Sequence, residues 1–305
     1  MITNLTPSSA LFLANLNTIE QNLTEATNQV SSGKKVNVAS DAPDQLESLL
    51  QLRTDQARNT QMVSDLGLAK TDAQAADSAL NSASQLMDQA VSLATQGANS
   101  TTDAAGRNTI AQQIAALQQQ MVSLSQTQVQ GRYIFSGDDP GSPTYQLDLS
   151  AASGSAAING VDQLSSAAST REIQNPQGGT FKASETASQI FDAPGASVFA
   201  ALNSLRVALT NNNQNAIQNS ISALQAATTQ LNNADAFYGN VENQIDNANT
   251  FASSYDTQLQ TEISNIQDAD IAQGALQITR GNTQLQAALE AEGKMPTQSL
   301  FNYLG

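Results

Sequence analysis

The sequence predicts a mainly α-helical protein: an elongated coiled-coil or helical bundle formed by the N- and C-terminal segments, with a small β-containing inserted domain. Three observations favour this class. Apolar residues recur every seven positions near both ends, aromatic residues make up only 4% of the 305 residues, and helical periodicity disappears over one internal stretch. Cores filled by Ala, Leu, Ile and Val suit helices packed on helices better than one thick globular core.

The first helix is predicted from residue 5 to about residue 31. Its apolar positions lie at seven-residue spacing in two offset rows: Leu5, Phe12, Ile19 and Ala26, and Leu16, Leu23 and Val30. Pro7 is in the first turn, where proline is tolerated, and Gly33 supplies a stop. We then expect Asp41 to be the N-cap of a second helix that begins at Pro43.

The second helix is predicted to run from Pro43 to near Gln96. Its apolar residues repeat at seven-residue spacing, and the row is Leu66, Ala73, Leu80, Met87 and Ala94. A turn with a new N-cap is expected within residues 97–106. A third helix, with apolar residues from Ile110 to Leu124, should double back along the second.

The stretch 131–195 contains eight of the 17 Gly and four of the seven Pro residues, which predicts short strands joined by turns. The expected strands lie at 132–135, 145–149, 156–161, 170–173 and 180–182. Helical spacing resumes at 198–209 and, after a turn at 211–213, continues to about 233. A last helical region is predicted over 234–292.

These patterns predict three domains. Residues 1–40 with 268–305 would form a terminal coiled-coil assembly domain, 41–135 with 196–267 an elongated helical bundle, and 136–195 a small β-rich insertion. Near the C-terminus Ile271, Ile278 and Leu285 again recur every seven residues, with Leu289 beside them. A helix with so narrow an apolar stripe is not stable alone, so both ends are expected to need partner helices.

Charge and composition exclude several classes of function. The formal net charge is −15, so no basic surface is expected for nucleic acid or for an anionic membrane. The chain has no Cys and no His, which excludes thiol nucleophiles, disulfides and His-based catalysis or metal binding. It has 63 Asn and Gln residues against 12 basic and 27 acidic ones. Because an amide is less costly to desolvate than an ion, such a surface suits subunit contacts, although a compositional habit of the source would also explain it.

Motifs that could indicate chemistry are weak. Ser31 and Lys34 match the S-x-x-K spacing of acyl-enzyme hydrolases, but the companion motifs are missing and a helix end with a solvated Lys explains them. The acidic pairs at 138–139 and 268–270 lack the spacing of a Ca²⁺ loop, and turns or helix caps explain them. No catalytic, cofactor or metal site is predicted. No segment is apolar enough for a membrane span, and the N-terminus lacks the charged start of a cleaved secretory signal.

Several ordered segments resemble the flagellin family of bacterial proteins. They are Val30 to Asn37 with Ser40 to Asp44, Leu93 to Arg107, Gly131 to Gly137, Asp268 to Asp270, and Ser299 to Leu304. The third and the last of them are most similar to the subfamily at the hook–filament junction. Ala42, where that subfamily commonly has a second Asp, and the preceding segment Pro296 to Gln298 depart from its pattern.

The resemblance implies a structural subunit of the flagellum that joins the hook, through the neighbouring hook-associated protein, to the filament. It implies copies of the chain in a tubular ring, contact with flagellin, export without signal cleavage, and a cytoplasmic export chaperone on the C-terminal helix. It implies no enzyme activity and no cofactor.

We therefore expect assembly contacts along both terminal stripes. The predicted interface residues are Leu5, Phe12, Leu16, Ile19, Leu23, Val30, Ile271, Ile278, Leu285 and Leu289, with Leu300, Phe301 and Tyr303 as end anchors. Three alternatives stay open: a filament flagellin, a secreted glycan-binding or hydrolytic module in 138–195, and a cytosolic coiled-coil adaptor.

Overall fold

The computed structural model describes residues 7–151, 155–166 and 170–293. The chain divides into two compact units. We call residues 1–58 with 255–305 the terminal unit and residues 59–254 the central unit. Two long helices contribute residues to both.

Helices dominate the described residues, which confirms the predicted fold class. In chain order they are α1 (Pro7–Ser32), α2 (Leu46–Ala98), α3 (Ala104–Ser125), α4 (Ser155–Asn159), α5 (Ala187–Phe191), α6 (Val198–Thr210), α7 (Gln214–Gln267) and α8 (Ile271–Gly293). Within the central unit α3 doubles back along α2, since Leu93 and Leu117 line a common groove nearer one end and Leu86 and Leu124 line another further along.

The helix ends follow local chemistry. Gly33 terminates α1 with a φ of +71°, a conformation that glycine adopts without strain. The Asp103 carboxylate caps α3 by accepting the N–H of Gly106 at 2.8 Å. Asp41, in contrast, does not cap α2. Its carboxylate accepts the preceding N–H groups of Asn37 and Val38, so the predicted cap at Asp41 is wrong and α2 begins at Leu46 rather than Pro43.

Within the described residues, six short strands form three antiparallel pairs. They are β1 (Gln128–Val129) with β2 (Arg132–Tyr133), β3 (Tyr145–Leu147) with β4 (Val161–Gln163), and β5 (Glu172–Gln174) with β6 (Thr180–Lys182). The turn between β1 and β2 has positive φ at both Gln130 and Gly131, the geometry that matches the twist of a tight hairpin.

Two further sequence predictions differ from the structure. No strand spans 156–161: an Ala-rich sequence forms α4, Gly160 ends it with a φ of +68°, and Val161 begins β4. The region predicted to be helical over 234–292 is helical except at 268–270, but the predicted boundary near 233 is wrong, because α7 runs uninterrupted from Gln214 to Gln267. The turn predicted at 211–213 is present, between α6 and α7.

An aromatic cluster fills the centre of the central unit. Phe135 and Phe191 pack edge to face with ring centroids 5.6 Å apart, and Phe199 stacks on Phe191 at 6.0 Å. Tyr238 from α7 contacts Phe135 at 6.2 Å. All four side chains are buried, so residues after β2, in α5 and at the start of α6 share one core with the long helix α7.

A carboxylate on α2 ties two of the hairpins to that helix. Asp72 accepts hydrogen bonds from Arg132 in β2 at 3.2 Å and from Arg171, the residue before β5, at 2.6 Å. The Asp72 side chain is mostly buried, whereas both guanidinium groups are partly exposed. The three side chains therefore fix the orientation of the β-containing segment against α2.

Candidate assembly interface

The two terminal helices pack side by side in antiparallel directions. Gly274 of α8 lies against Ala26 and Val30 of α1, and Gly281, two turns further along α8, lies against Leu23. Contacts therefore move towards the start of α1 as α8 proceeds. At this register Leu285 falls opposite Ile19, which places the predicted apolar rows of both helices on the shared side.

Glycine allows the close approach of α1 and α8. A Cβ atom at Gly274 would lie 2.5 Å from Cγ2 of Val30, and one at Gly281 would lie 3.2 Å from Cδ1 of Leu23. Contacts below 3.0 Å do not occur without a shift of one partner. Ala26, which is buried, completes this narrow contact. The two glycines thus let the Val30 and Leu23 side chains of α1 approach the backbone of α8 closely.

One residue, Gln267, joins the segment after α1 to the end of α7. The backbone carbonyl of Gln267 accepts the N–H groups of Lys35 at 2.7 Å and Val36 at 3.4 Å. Its side-chain Nε2 donates to the Val36 carbonyl at 3.4 Å, and its side-chain Oε1 accepts from Arg53 of α2 at 3.0 Å. Gln267 is buried, so these bonds satisfy an amide that would otherwise lose its water.

The short connection between α7 and α8 has its own bonds. The N–H of Ala269 donates to the Gly33 carbonyl at 2.9 Å, and Lys34 and Asp268 form an isolated antiparallel bridge. The Asp270 carboxylate accepts the N–H of Gln273 at 3.0 Å, which makes Asp270 the N-cap of α8. The helix-cap interpretation of this acidic segment is therefore confirmed for Asp270.

The predicted interface residues fall into three groups. Half-buried on the shared side of the pair, or next to it, are Phe12, Leu16, Ile19, Leu23, Val30, Ile278 and Leu285. Ile271 and Leu289 are exposed, at 47% and 54% of their full accessibility. Leu5, Leu300, Phe301 and Tyr303 lie outside the described residues. The role of all of them in contacts between copies stays a prediction.

Apolar residues outside the predicted rows are exposed on both helices of the pair. Leu11 and Leu13 on α1 are exposed at 65% and 44%, and Leu276 on α8 is exposed at 48%. They lie off the seven-residue rows, so a search for those rows does not find them. The glycines at 274 and 281 were also missed, although their own seven-residue spacing was a readable signal.

The weak catalytic motifs have ordinary structural surroundings. Ser31 and Lys34 are exposed at the end of α1. In the inserted segment the N–H of Asp139 donates to the Ser136 carbonyl at 3.2 Å, as in a turn. No group of three or more His, Cys, Asp or Glu side chains that could hold a metal ion occurs in the part of the chain described by the structure. Likewise, none of the helices in those described ranges is long and apolar enough to cross a membrane.

Two family models match the sequence at its two ends. The model of the bacterial flagellin N-terminal helical region matches residues 2–139, and that of the bacterial flagellin C-terminal helical region matches residues 221–304. The chain belongs to the flagellin family. The matches leave out 140–220, which includes most of the predicted insertion. A comparison with curated protein sequences found no match.

Solved structures with a similar fold include flagellar proteins of several bacteria. A protein from Vibrio parahaemolyticus assigned as a flagellar hook-associated protein is 18% identical, with a TM-score of 0.64 over 75% of this chain and 100% of that one. FlgL of Bacillus cereus is 20% identical, with a TM-score of 0.54 over 70% and 99% of the two chains. FlgL of Xanthomonas campestris is 17% identical, with a TM-score of 0.55 over 67% and 98%.

Family membership fixes the general setting of this interface. Flagellin-family proteins are structural components of the bacterial flagellum, which lies outside the cell, and they assemble with copies of themselves and with other flagellar components.

Proposed function

We propose that the protein is a junction subunit of the flagellum, which joins the hook, through the neighbouring hook-associated protein, to the filament. The observation behind the proposal is the terminal helix pair: a slender antiparallel contact that leaves Leu11, Leu13 and Leu276 exposed. Exposed apolar side chains on a pair of only two helices favour burial against neighbouring copies. The similarity to solved FlgL structures supports the choice of a junction protein over a filament flagellin.

The proposed mechanism is ordering by assembly. Two helices alone shelter only one side of each apolar stripe, so lateral packing between copies would bury the remainder. At about 25 cal/mol per Å² of apolar area, the burial of a few leucines contributes several kcal/mol for each contact. We further propose export without a cleaved signal, with a cytoplasmic chaperone covering the C-terminal helix until secretion.

A double substitution tests the proposed mechanism. Leu16→Asp combined with Ile278→Asp places one carboxylate on each terminal helix and leaves the central unit untouched. We expect sheared flagella to lack this variant and cells to lose filaments and motility, while the purified variant keeps the thermal transition of its central unit. Leu164→Asp is the matched control, because Leu164 is an exposed leucine of the central unit and should tolerate the charge. Normal filament retention in the double variant would contradict the proposal.

The alternative functions predict different fractions and different behaviour in vitro. A cytosolic adaptor would be absent from sheared flagella, and a filament flagellin would polymerise alone into long filaments. A glycan-binding or hydrolytic module would bind or cleave sugar through residues 138–195. In that segment the Asp192 carboxylate is already used internally, since it accepts hydrogen bonds from Asn159 and Ser197.

A further inference from the structure

A surface groove of about 750 Å³ lies on the terminal unit, on the side of α1 that faces away from α8. One wall is the outward face of α1, which includes Asn17, Thr24 and Asn28. The other wall is the segment after Gly33, which folds back beside the helix. Successive residues of a helix are rotated by 100° about its axis, so the groove-lining positions of α1 are centred well over 90° around the axis from the row that contacts α8. For that reason α8 of the same chain cannot enter the groove.

The returning wall of the groove is held by its own hydrogen bonds. The Asp41 carboxylate accepts the N–H groups of Asn37 at 2.8 Å and Val38 at 2.9 Å. The Asn37 side chain donates to the Lys34 carbonyl at 2.9 Å. These bonds fix the wall in place and leave the Val38 side chain 58% exposed at its edge.

The groove has an excess of negative charge. Its charged lining residues are three carboxylates, Glu20, Glu25 and Asp41, and one ammonium group, Lys35. The Lys35 ammonium donates to the Asn265 carbonyl at 3.0 Å, which holds it near α7. The other lining side chains are mainly amides and hydroxyls. A complementary occupant would therefore bring a cation, together with an apolar group for Val38.

The outward face of α8 offers that combination. Leu276 and Arg280 are four residues apart and so lie on one face, roughly opposite the row that includes Gly274 and Gly281. Arg280 is the one basic residue in the α8 sequence. In the described ranges of the chain Arg280 forms no ion pair, and Leu276 is 48% exposed.

We infer that the outward face of α8 of one copy binds in the α1 groove of the next copy, with Arg280 between Glu20 and Glu25 and with Leu276 against Val38. The inference rests on the proposed function, because it specifies how copies in the ring contact each other. The two surfaces differ, so each copy offers one of each and the contact is head to tail. Contacts of this kind generate closed rings or open helical arrays rather than isolated pairs.

Cross-linking between different copies tests the contact. The wild-type chain has no Cys, so the single variants Val38→Cys and Leu276→Cys each contain one thiol. Both variants, one of them with an affinity tag, are expressed in the same cells, and sheared flagella are treated with a short bis-maleimide. We expect dimers that contain one chain of each kind. The control replaces Val38→Cys with Leu11→Cys, a more exposed site on α1 that does not line the groove, and should give several-fold less mixed dimer.

Charge exchange gives a second, independent test. Arg280→Glu should weaken the contact about fivefold, as should Glu20→Arg with Glu25→Arg, and the combination of all three changes should recover most of the loss. The measurement is the amount of the chain in sheared flagella relative to a co-expressed wild-type copy. Absence of the wild-type chain from flagella would refute the proposed function. Normal incorporation without the Val38–Leu276 cross-link, or without recovery in the triple variant, would refute this inference alone.

Discussion

Replacement of Gly274 by Ala should loosen the terminal helix pair. Two opposing effects decide the sign. Alanine favours the helix over glycine by about 1 kcal/mol. The added Cβ, however, would lie 2.5 Å from Cγ2 of Val30, whereas carbon atoms pack best at about 3.5–4.0 Å.

The overlap should outweigh the gain in helix propensity. Val30 is β-branched and stiff at χ1, so its methyl group cannot rotate away at low cost. Overpacking of this kind costs about 1–3 kcal/mol, which leaves a net loss of about 0–2 kcal/mol for Gly274→Ala. Gly281→Ala is the matched control on the same face of the same helix. Its Cβ would lie 3.2 Å from Cδ1 of Leu23, a flexible end that can move, so this variant should be neutral or slightly stabilised.

Native-state hydrogen exchange on the monomer measures the effect, because opening of the pair exposes the amides of α1. Protection of residues 13–30 should fall in Gly274→Ala and not in Gly281→Ala. Addition of Val30→Ala to Gly274→Ala should restore part of the loss, with a coupling energy of about 1 kcal/mol. Equal protection in the two glycine variants, or no coupling with Val30, would refute the close-packing argument.

Three further predictions concern the central unit. Asp72→Asn should lower the free energy of unfolding by about 1–2 kcal/mol, because Arg132 and Arg171 lose their shared carboxylate; denaturant titration measures this loss. Phe135→Ala should cost about 3–5 kcal/mol in the same assay, because its buried ring contacts Phe191 and Tyr238. Partial desolvation and the neighbouring Asp77 raise the pKa of Asp235, so the folded state favours the protonated carboxyl. The free energy of unfolding should therefore fall as the pH rises through the folded-state pKa of Asp235. Asp235→Asn should therefore be more stable than the wild type at neutral pH, and thermal melts should show the difference shrinking as the pH falls below the ordinary carboxyl range.

The sequence was a good guide wherever one local interaction decides the structure. The row from Leu66 to Ala94 predicted the long helix α2, and Gly33 predicted the end of α1, because only one backbone geometry suits each pattern. Asp41 was misleading because its carboxylate can accept N–H groups on either side. The sequence alone does not tell which side it serves.

The site was only partly predictable, for a geometric reason. The rows from Phe12 to Val30 and from Ile278 to Leu285 identified the faces on which α1 and α8 meet. The outward faces become defined only when the antiparallel register is known, so Leu276 and Val38 could not be found from spacing alone. The same holds for Asp72, because its two partners are distant in the sequence and no local pattern links them.

The hydrogen bonds around Gln267 determine how this part of the terminal unit responds to pH. There the stretch after α1, the first turns of α2 and the last turn of α7 meet through carbonyls, amides and one guanidinium, none of which gains or loses a proton near neutrality. A carboxylate in the same place would be protonated in acid and would lose hydrogen bonds that it accepts. The contacts at Gln267 should therefore persist equally well in an acidic habitat and in an alkaline one.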